Sequence, residues 1–283
     1  MPAVLRPWTA PLTLVLLGCP PPSGDDSDSP PDTGPPPDGL TAEPALHLAD
    51  GPGDLDLSAE GMLLIVTRWG GSVLSWDPAS GAQDEIQHAI QDLDGVFRAA
   101  DDRLWAACSD GQVEGRVGWL DRNDLVEITD RADDGTLMRG VEDVALAPDG
   151  TLVAVDDVLE GLFLTEPASG ATAFVPLAIA NPQGLLFQEG ALVVAGSDGI
   201  WEVTLPGGAV TRLDPRGGRG LALWGDTLLA SNAEDGIFAV GGAAAGTGGI
   251  AGPDDLLALG DVLYISDSVG LDLYAMDLSG WEP

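Results

Sequence analysis

The 283-residue chain contains no lysine: its eleven basic residues are all arginine, set against 46 acidic ones, for a formal net charge of −35. A surface this acidic repels phosphate backbones and anionic headgroups, which excludes nucleic acid as a partner. Cations, basic partners and neutral ligands remain. Histidine is almost as scarce. With only His47 and His88 in the chain, no Ser-His-Asp triad and no His-rich metal site can be assembled. Cysteine is limited to Cys19 and Cys108, and no capped stretch with a 3.6-residue apolar stripe interrupts the body of the chain. The apolar segment Leu12–Cys19 is too short to span a bilayer.

What is present is a repeat. EGMLL at 60–64, DDRLW at 101–105, DGTLV at 149–153, EGALV at 189–193, GDTLL at 225–229 and GDVLY at 260–264 each place an acidic or Gly turn before an apolar strand. With Leu63, Leu104, Leu152, Leu192, Leu228 and Leu263 as marks, the spacings are 41, 48, 40, 36 and 35. A recurrence near 40 in a β-rich chain is that of a propeller blade, and six marks predict an all-β, six-bladed β-propeller. Blade 3 shows the grammar most clearly: Val144–Leu146, the turn Ala147–Gly150, Leu152–Val155, Gly161–Leu164 and an outer strand from Thr172. WDPASG ending at Gly81 and TEPASG ending at Gly170 lie 89 residues apart, two blades. Gly161-Leu-Phe163, Gly199-Ile-Trp201 and Gly236-Ile-Phe238 are read as third strands whose aromatics pack one blade on the next.

The chain stops at the third strand of blade 6, while Ala45-Leu46-His47-Leu48 lies where an outer strand would run. The N-terminal strand is therefore expected to complete blade 6 and remove its open sheet edge. His47 and His88 fall at matching points of outer strands, far from the channel. Residues 45–283 form one domain, large enough to bury an extensive core.

The start of the chain is different material. Leu16-Leu17-Gly18-Cys19 resembles the lipobox of bacterial lipoproteins, and a Pro- and Asp-rich tract follows at once. The resemblance implies a signal peptide over 1–18, lipidation of Cys19, export, and a cell-envelope location (outer membrane or periplasmic face) with the membrane reached through the lipid anchor. Residues 19–44 read as a disordered linker that cannot build a core. Its 25 residues after Cys19 reach at most about 75 Å. Asp25, Asp26, Asp28 and Asp32 lack the Gly turn and distal Glu of a calcium loop. Cys108 is then the one remaining thiol, a buried strand residue without a disulfide partner.

In a propeller the start of each first strand and the loop between strands 2 and 3 share the channel-mouth face, where ligand sites form. The repeat aligns Asp54, Gly95, Asp143, Gly184, Gly220 and Asp255 there, preceded by Gly53, Asp94, Glu142, Gln183, Arg219 and Asp254. Carboxylates held near one axis raise one another's pKa or recruit a cation, and Ca²⁺ or another divalent ion takes oxygen ligands of this type. Asp94, Glu142, Asp143, Asp254 and Asp255 are the candidate metal ligands. The alternative is that they cap turns and face water. Arg68 and Trp69 in the blade 1 loop, with Gln183 and Arg219, are candidate binding residues for a sugar or peptide.

At this point the chain resembles the six-bladed gluconolactonases, regucalcin-type lactonases and NHL-repeat propellers. Asn181-Pro-Gln-Gly-Leu185 is similar to the lactonases' Pro-Asn-Gly-Leu segment, whose Asn binds the metal; Gln183 stands in its place. Pro253-Asp254-Asp255 is similar to their Pro-Asp-Gly segment, which implies for Asp254 the role of ligand and catalytic base. Their Glu-Gly-Pro, source of the first ligand, has no counterpart; blade 1 offers Gly53-Asp54. Other motifs fail on context. Gly196-Ser-Asp-Gly199 is a turn between strands, Gly246-x-Gly248-x-x-Ala251 reads as a loop replacing a weak outer strand, and Trp76-Asp77 occurs once. An intact scaffold with incomplete ligands gives as leading expectation a monomeric, non-enzymatic envelope propeller that binds a protein or glycan partner. The alternative is a divalent-metal-dependent lactonase or esterase-like hydrolase.

Overall fold

A computed structural model describes residues 40–283 apart from 68, 69, 88, 89, 91, 110–113, 123, 247, 248 and 268. It is all-β, with 24 strands in six four-stranded antiparallel sheets and no helix among the described residues. The first strands of blades 1 to 6 are Pro52–Leu57, Leu93–Arg98, Val141–Leu146, Pro182–Gln188, Leu221–Trp224 and Pro253–Leu259. Each touches the next in ring order, and blade 6 returns to blade 1, so these strands line the central axis. The six registration leucines all fall in second strands, which begin after tight turns carrying a positive-φ glycine in most blades.

Closure follows the expected route. Strand Ala42–His47 pairs antiparallel with Asp272–Asp277, the last strand of the chain, and becomes the outer strand of blade 6. His47 Nδ1 meets Asp272 Oδ1 at 2.7 Å on this seam. Joining the two ends in one sheet satisfies the ladder that an open final blade would leave exposed. At the weak outer strand of blade 5 the chain forms a three-residue strand, Ala244–Gly246, rather than a plain loop.

The core is divided by blade interface. Leu64, Val66 and Val73 of blade 1 pack on Leu93, Val96 and Ala106 of blade 2, and five further clusters occupy the other five interfaces. Phe163 and Phe238 are fully buried in two of them and Trp201 is packed against a third, as the Gly-aromatic pattern predicts. Each fully buried Leu or Phe contributes about 1.5–3 kcal/mol of transfer free energy, so the ring is held by apolar contact between neighbours. Cys108 belongs to the blade 1–2 cluster, and burial pushes its thiol up to about 12, which makes it inert.

Candidate functional site at the channel mouth

Five of the six first strands open with an irregularity in register. The pairing slips between Pro52 and Leu55, Leu93 and Gly95, Val141 and Asp143, Pro182 and Gly184, and Pro253 and Leu256. A bulge turns side chains away from the regular alternation. The slipped residues include Gly53-Asp54, Asp94, Glu142, Gln183 and Asp254-Asp255. With Arg219 and Gly184 they surround one narrow axial cavity of ≈ 40 Å³. The predicted mouth residues are thus brought together, and the bulges aim them there.

Within this ring the acids divide into two kinds. Asp54, Asp143 and Asp255 reach sideways to the following blade. Asp54 Oδ2 accepts the Val96 amide at 2.5 Å, Asp143 Oδ2 accepts that of Leu185 at 2.7 Å, and Asp255 Oδ2 accepts that of Leu55 at 2.8 Å. Asp56, one layer deeper, accepts the amides of Leu57 and Arg98 in the same way. At the equivalent position the other blades carry Gly because the next first strand comes too close for a side chain. A Cβ on Gly95 would lie 2.8 Å from the Glu142 carbonyl and 2.9 Å from Asp143 Cα. Carboxylate latches and glycine contacts together set the spacing of the ring.

These latches are electrostatically loaded. Desolvation, the Asp255 charge and a hydrogen bond to Asp255 push Asp54 well above the ordinary carboxylate range. Asp143 is raised well above it by desolvation and by Asp54. Asp255 is pushed up to about 7, by desolvation first and then by the Asp143 charge, against the hydrogen bond from Asp54. Burial and the closeness of the two carboxyl groups thus favour the neutral form of Asp54 beside Asp255. The acids line the axial cavity rather than the outer surface.

Asp254 and Arg219 form the second kind of contact. Asp254 is 7% exposed, and its Oδ1 receives Arg219 Nη1 at 2.9 Å. The buried Ser231 hydroxyl fixes this pair, accepting the Gly220 amide and donating to the Asp254 carbonyl, both at 3.0 Å, while the Ser231 carbonyl accepts the Arg219 amide at 2.9 Å. Arg219's side chain is 44% exposed. It projects where the axial cavity meets a groove of ≈ 450 Å³ across blades 4–6, lined by Asn181, Gln183, Asn232, Pro253 and Val269 among others. Asn232 is held by Gly217 and Asp235. Asn181, Gln183 and Arg219 line this groove, and among the described residues no hydrogen bond is seen for the side-chain amides of Asn181 and Gln183 or for the remaining N–H groups of Arg219.

A divalent ion does not fit this donor set. Asp143 and Asp255 hold backbone amides, Asp254 carries the Arg219 guanidinium, and Ser109 donates to Asp94 at 2.8 Å. Among the described residues no group of three or more His, Cys, Asp or Glu side chains is placed to hold a metal. Arg68, Trp69 and Cys19 lie outside the described residues. Sequence reasoning missed the register slips, the Asp56 latch, and Asp156 and Asp267 at the ends of second strands. Asp267 alone accepts four loop amides, from Ala251, Gly252, Val269 and Gly270. Its signal was a lone acid ending an apolar strand, as in Ile265-Ser-Asp267.

No known protein family matches the chain over its sequence, and no curated protein does either. Solved structures do. A gluconolactonase from Xanthomonas campestris superposes with a TM-score of 0.70 at 16% identity, over 83% of this chain and 89% of that one. A structural-genomics protein described as a gluconolactonase gives 0.68 at 18% identity, over 85% and 93%. Virginiamycin B lyase from Staphylococcus aureus gives 0.57 at 11% identity, over 84% and 99%. The likeness is one of fold, an all-β propeller of six blades in this chain, and proteins of more than one activity share it.

Proposed function

We propose that the channel mouth is a small-molecule site and that the chain is a hydrolase of a lactone or related ester, with Asp254 as its base. The observation that supports this reading is the position of the Asp254–Arg219 pair. Arg219 lines both the narrow axial cavity and a groove of ≈ 450 Å³, and its guanidinium is paired there with Asp254, which lines the axial cavity. Sites in propellers form where loops from several blades converge. Asp254 also occupies the position whose counterpart, by resemblance to the lactonases, is ligand and base. Among the structural neighbours the two named as gluconolactonases give TM-scores of 0.68 and 0.70.

The amides of Asn181 and Gln183 supply donors and acceptors for ring hydroxyls, and Pro253 with Val269 supply an apolar wall. A sugar lactone offers both kinds of surface. Hydrolysis of glucono-δ-lactone and a panel of simple lactones, followed by proton release, tests the reading. The wild-type chain is expected to accelerate hydrolysis, and Asp254→Asn to lower kcat by about 10²–10⁴-fold, the range of a general base. A rate unchanged by Asp254→Asn would remove Asp254 from the reaction. Lactone binding without turnover would point instead to the non-enzymatic binding propeller, which the structural use of Asp54, Asp143 and Asp255 favours.

A further inference from the structure

We propose that Arg219 is the resident cation of this site, taking the electrostatic place that a divalent ion holds in metal-dependent lactonases, and that the site accepts a neutral carbonyl compound without metal. The chemistry below rests on the hydrolase reading; the assignment of the charge rests on geometry alone. Of the ten described residues around the axial cavity, six are acids and one, Arg219, is a cation. Its backbone is fixed by Ser231 and its carbonyl abuts Gly184, where any Cβ would collide with it. Its guanidinium sits on Asp254 at 2.9 Å. A divalent ion bound to that carboxylate would meet a fixed positive charge at contact distance.

Guanidinium is always charged and presents a planar fork of donors. With one Nη on Asp254 and no other side-chain hydrogen bond among the described residues, Arg219 can donate to a carbonyl oxygen lying in the groove. The class of ligand follows from the charge around it. Asp94, Glu142 and Asp254 line the cavity, so a carboxylate ligand is opposed where a neutral lactone or ester is not. As the water oxygen bonds to the carbonyl carbon, Asp254 takes the water's proton and the carbonyl π pair moves to oxygen, where Arg219 donates a hydrogen bond. Collapse re-forms the carbonyl and breaks the ring C–O bond, and the proton passes from Asp254 to the departing alkoxide. The hydroxy acid then ionises, and the same acids drive it out.

Two measurements on the full chain test the proposal. The first is a thermal unfolding scan in EDTA and in millimolar Ca²⁺, Mn²⁺ or Zn²⁺, for wild type and Asp254→Asn. The expected result is no shift, or a shift equal in both proteins, since general screening of a −35 chain does not need Asp254. A stabilising shift that Asp254→Asn abolishes would overturn the proposal. The second is lactone hydrolysis in EDTA. Wild type is expected to keep its rate, Arg219→Met to lose about 10²–10³-fold in kcat, and Arg219→Lys to keep part of it, with folding checked by the scan. Loss of the wild-type rate in EDTA with recovery on adding metal, or full activity in Arg219→Met, would refute it. If wild type hydrolyses nothing, the hydrolase reading fails, and the metal scan alone decides the charge assignment.

Discussion

Leu55 is the point where the axial acids are tied together. Its amide is shared between Asp54 Oδ1 at 2.9 Å and Asp255 Oδ2 at 2.8 Å, which holds both carboxyl groups against one donor. Burial first, and then the neighbouring Asp143 charge, favour the neutral form and push Asp255 up to about 7 from the ordinary value of 3.8. A group whose pKa is higher in the folded state stabilises the fold fully below its unfolded pKa of about 3.9, and that contribution is lost as pH rises through the folded value. Asp214 works in the opposite sense. Burial pushes it up, but the Arg216 fork, at 3.0 and 2.6 Å, and the Gly241 amide hold it at about 2. Its contribution is present above the unfolded pKa and is lost only as pH falls through about 2. Melting temperature in high salt is therefore expected to fall between about pH 4 and pH 8. Asp255→Asn, which keeps an acceptor for Leu55 and removes the charge, should flatten that fall. Parallel curves for the two proteins would show that the axial pair does not control it.

At the scale of the element, legibility tracked periodicity. The second strands recur with an acidic or Gly turn before an apolar run, and a two-residue alternation needs no tertiary knowledge to be read. Blade count, strand order and closure by the N-terminal strand were legible for that reason. Register slips were not. A bulge is one extra residue, and Leu93-Asp94-Gly95 looks like any strand start until the neighbouring blade fixes its pairing. The same limit hid the latches: Asp54 and Val96 lie 42 residues apart and meet because blades 1 and 2 are adjacent. The closing strand gives this scale its prediction. Removing residues 1–48 takes away the outer partner of Asp272–Asp277, which keeps only its inner neighbour Val262–Asp267, and Ala42 and Leu48 are lost from two interface clusters. Compared with removal of residues 1–39, this should lower the melting temperature and broaden the transition, because a last blade with an open edge frays. Equal, sharp transitions would mean that the strand is dispensable.

At the scale of the molecule, the ring brings six first strands to one axis. Residues up to 200 positions apart, such as Leu55 and Asp255, thereby become neighbours. The structure allots the mouth acids two tasks. Three of them tie blade to blade through backbone amides, and Asp254 is paired with Arg219, the one cation among the described residues of the cavity. The sequence offered Asp94, Glu142, Asp143, Asp254 and Asp255 together as candidate metal ligands; their partners in the structure separate them. The central claim is that Asp254 and Arg219 act as one unit at the mouth of the groove. A double-mutant cycle on lactone hydrolysis, with Asp254→Asn, Arg219→Met and the double variant assayed together in EDTA, measures this directly. Residues that act as a unit are strongly non-additive, so the account predicts that the double variant is no slower than the slower single variant. Losses that multiply, or a wild-type rate no faster than buffer, would contradict it.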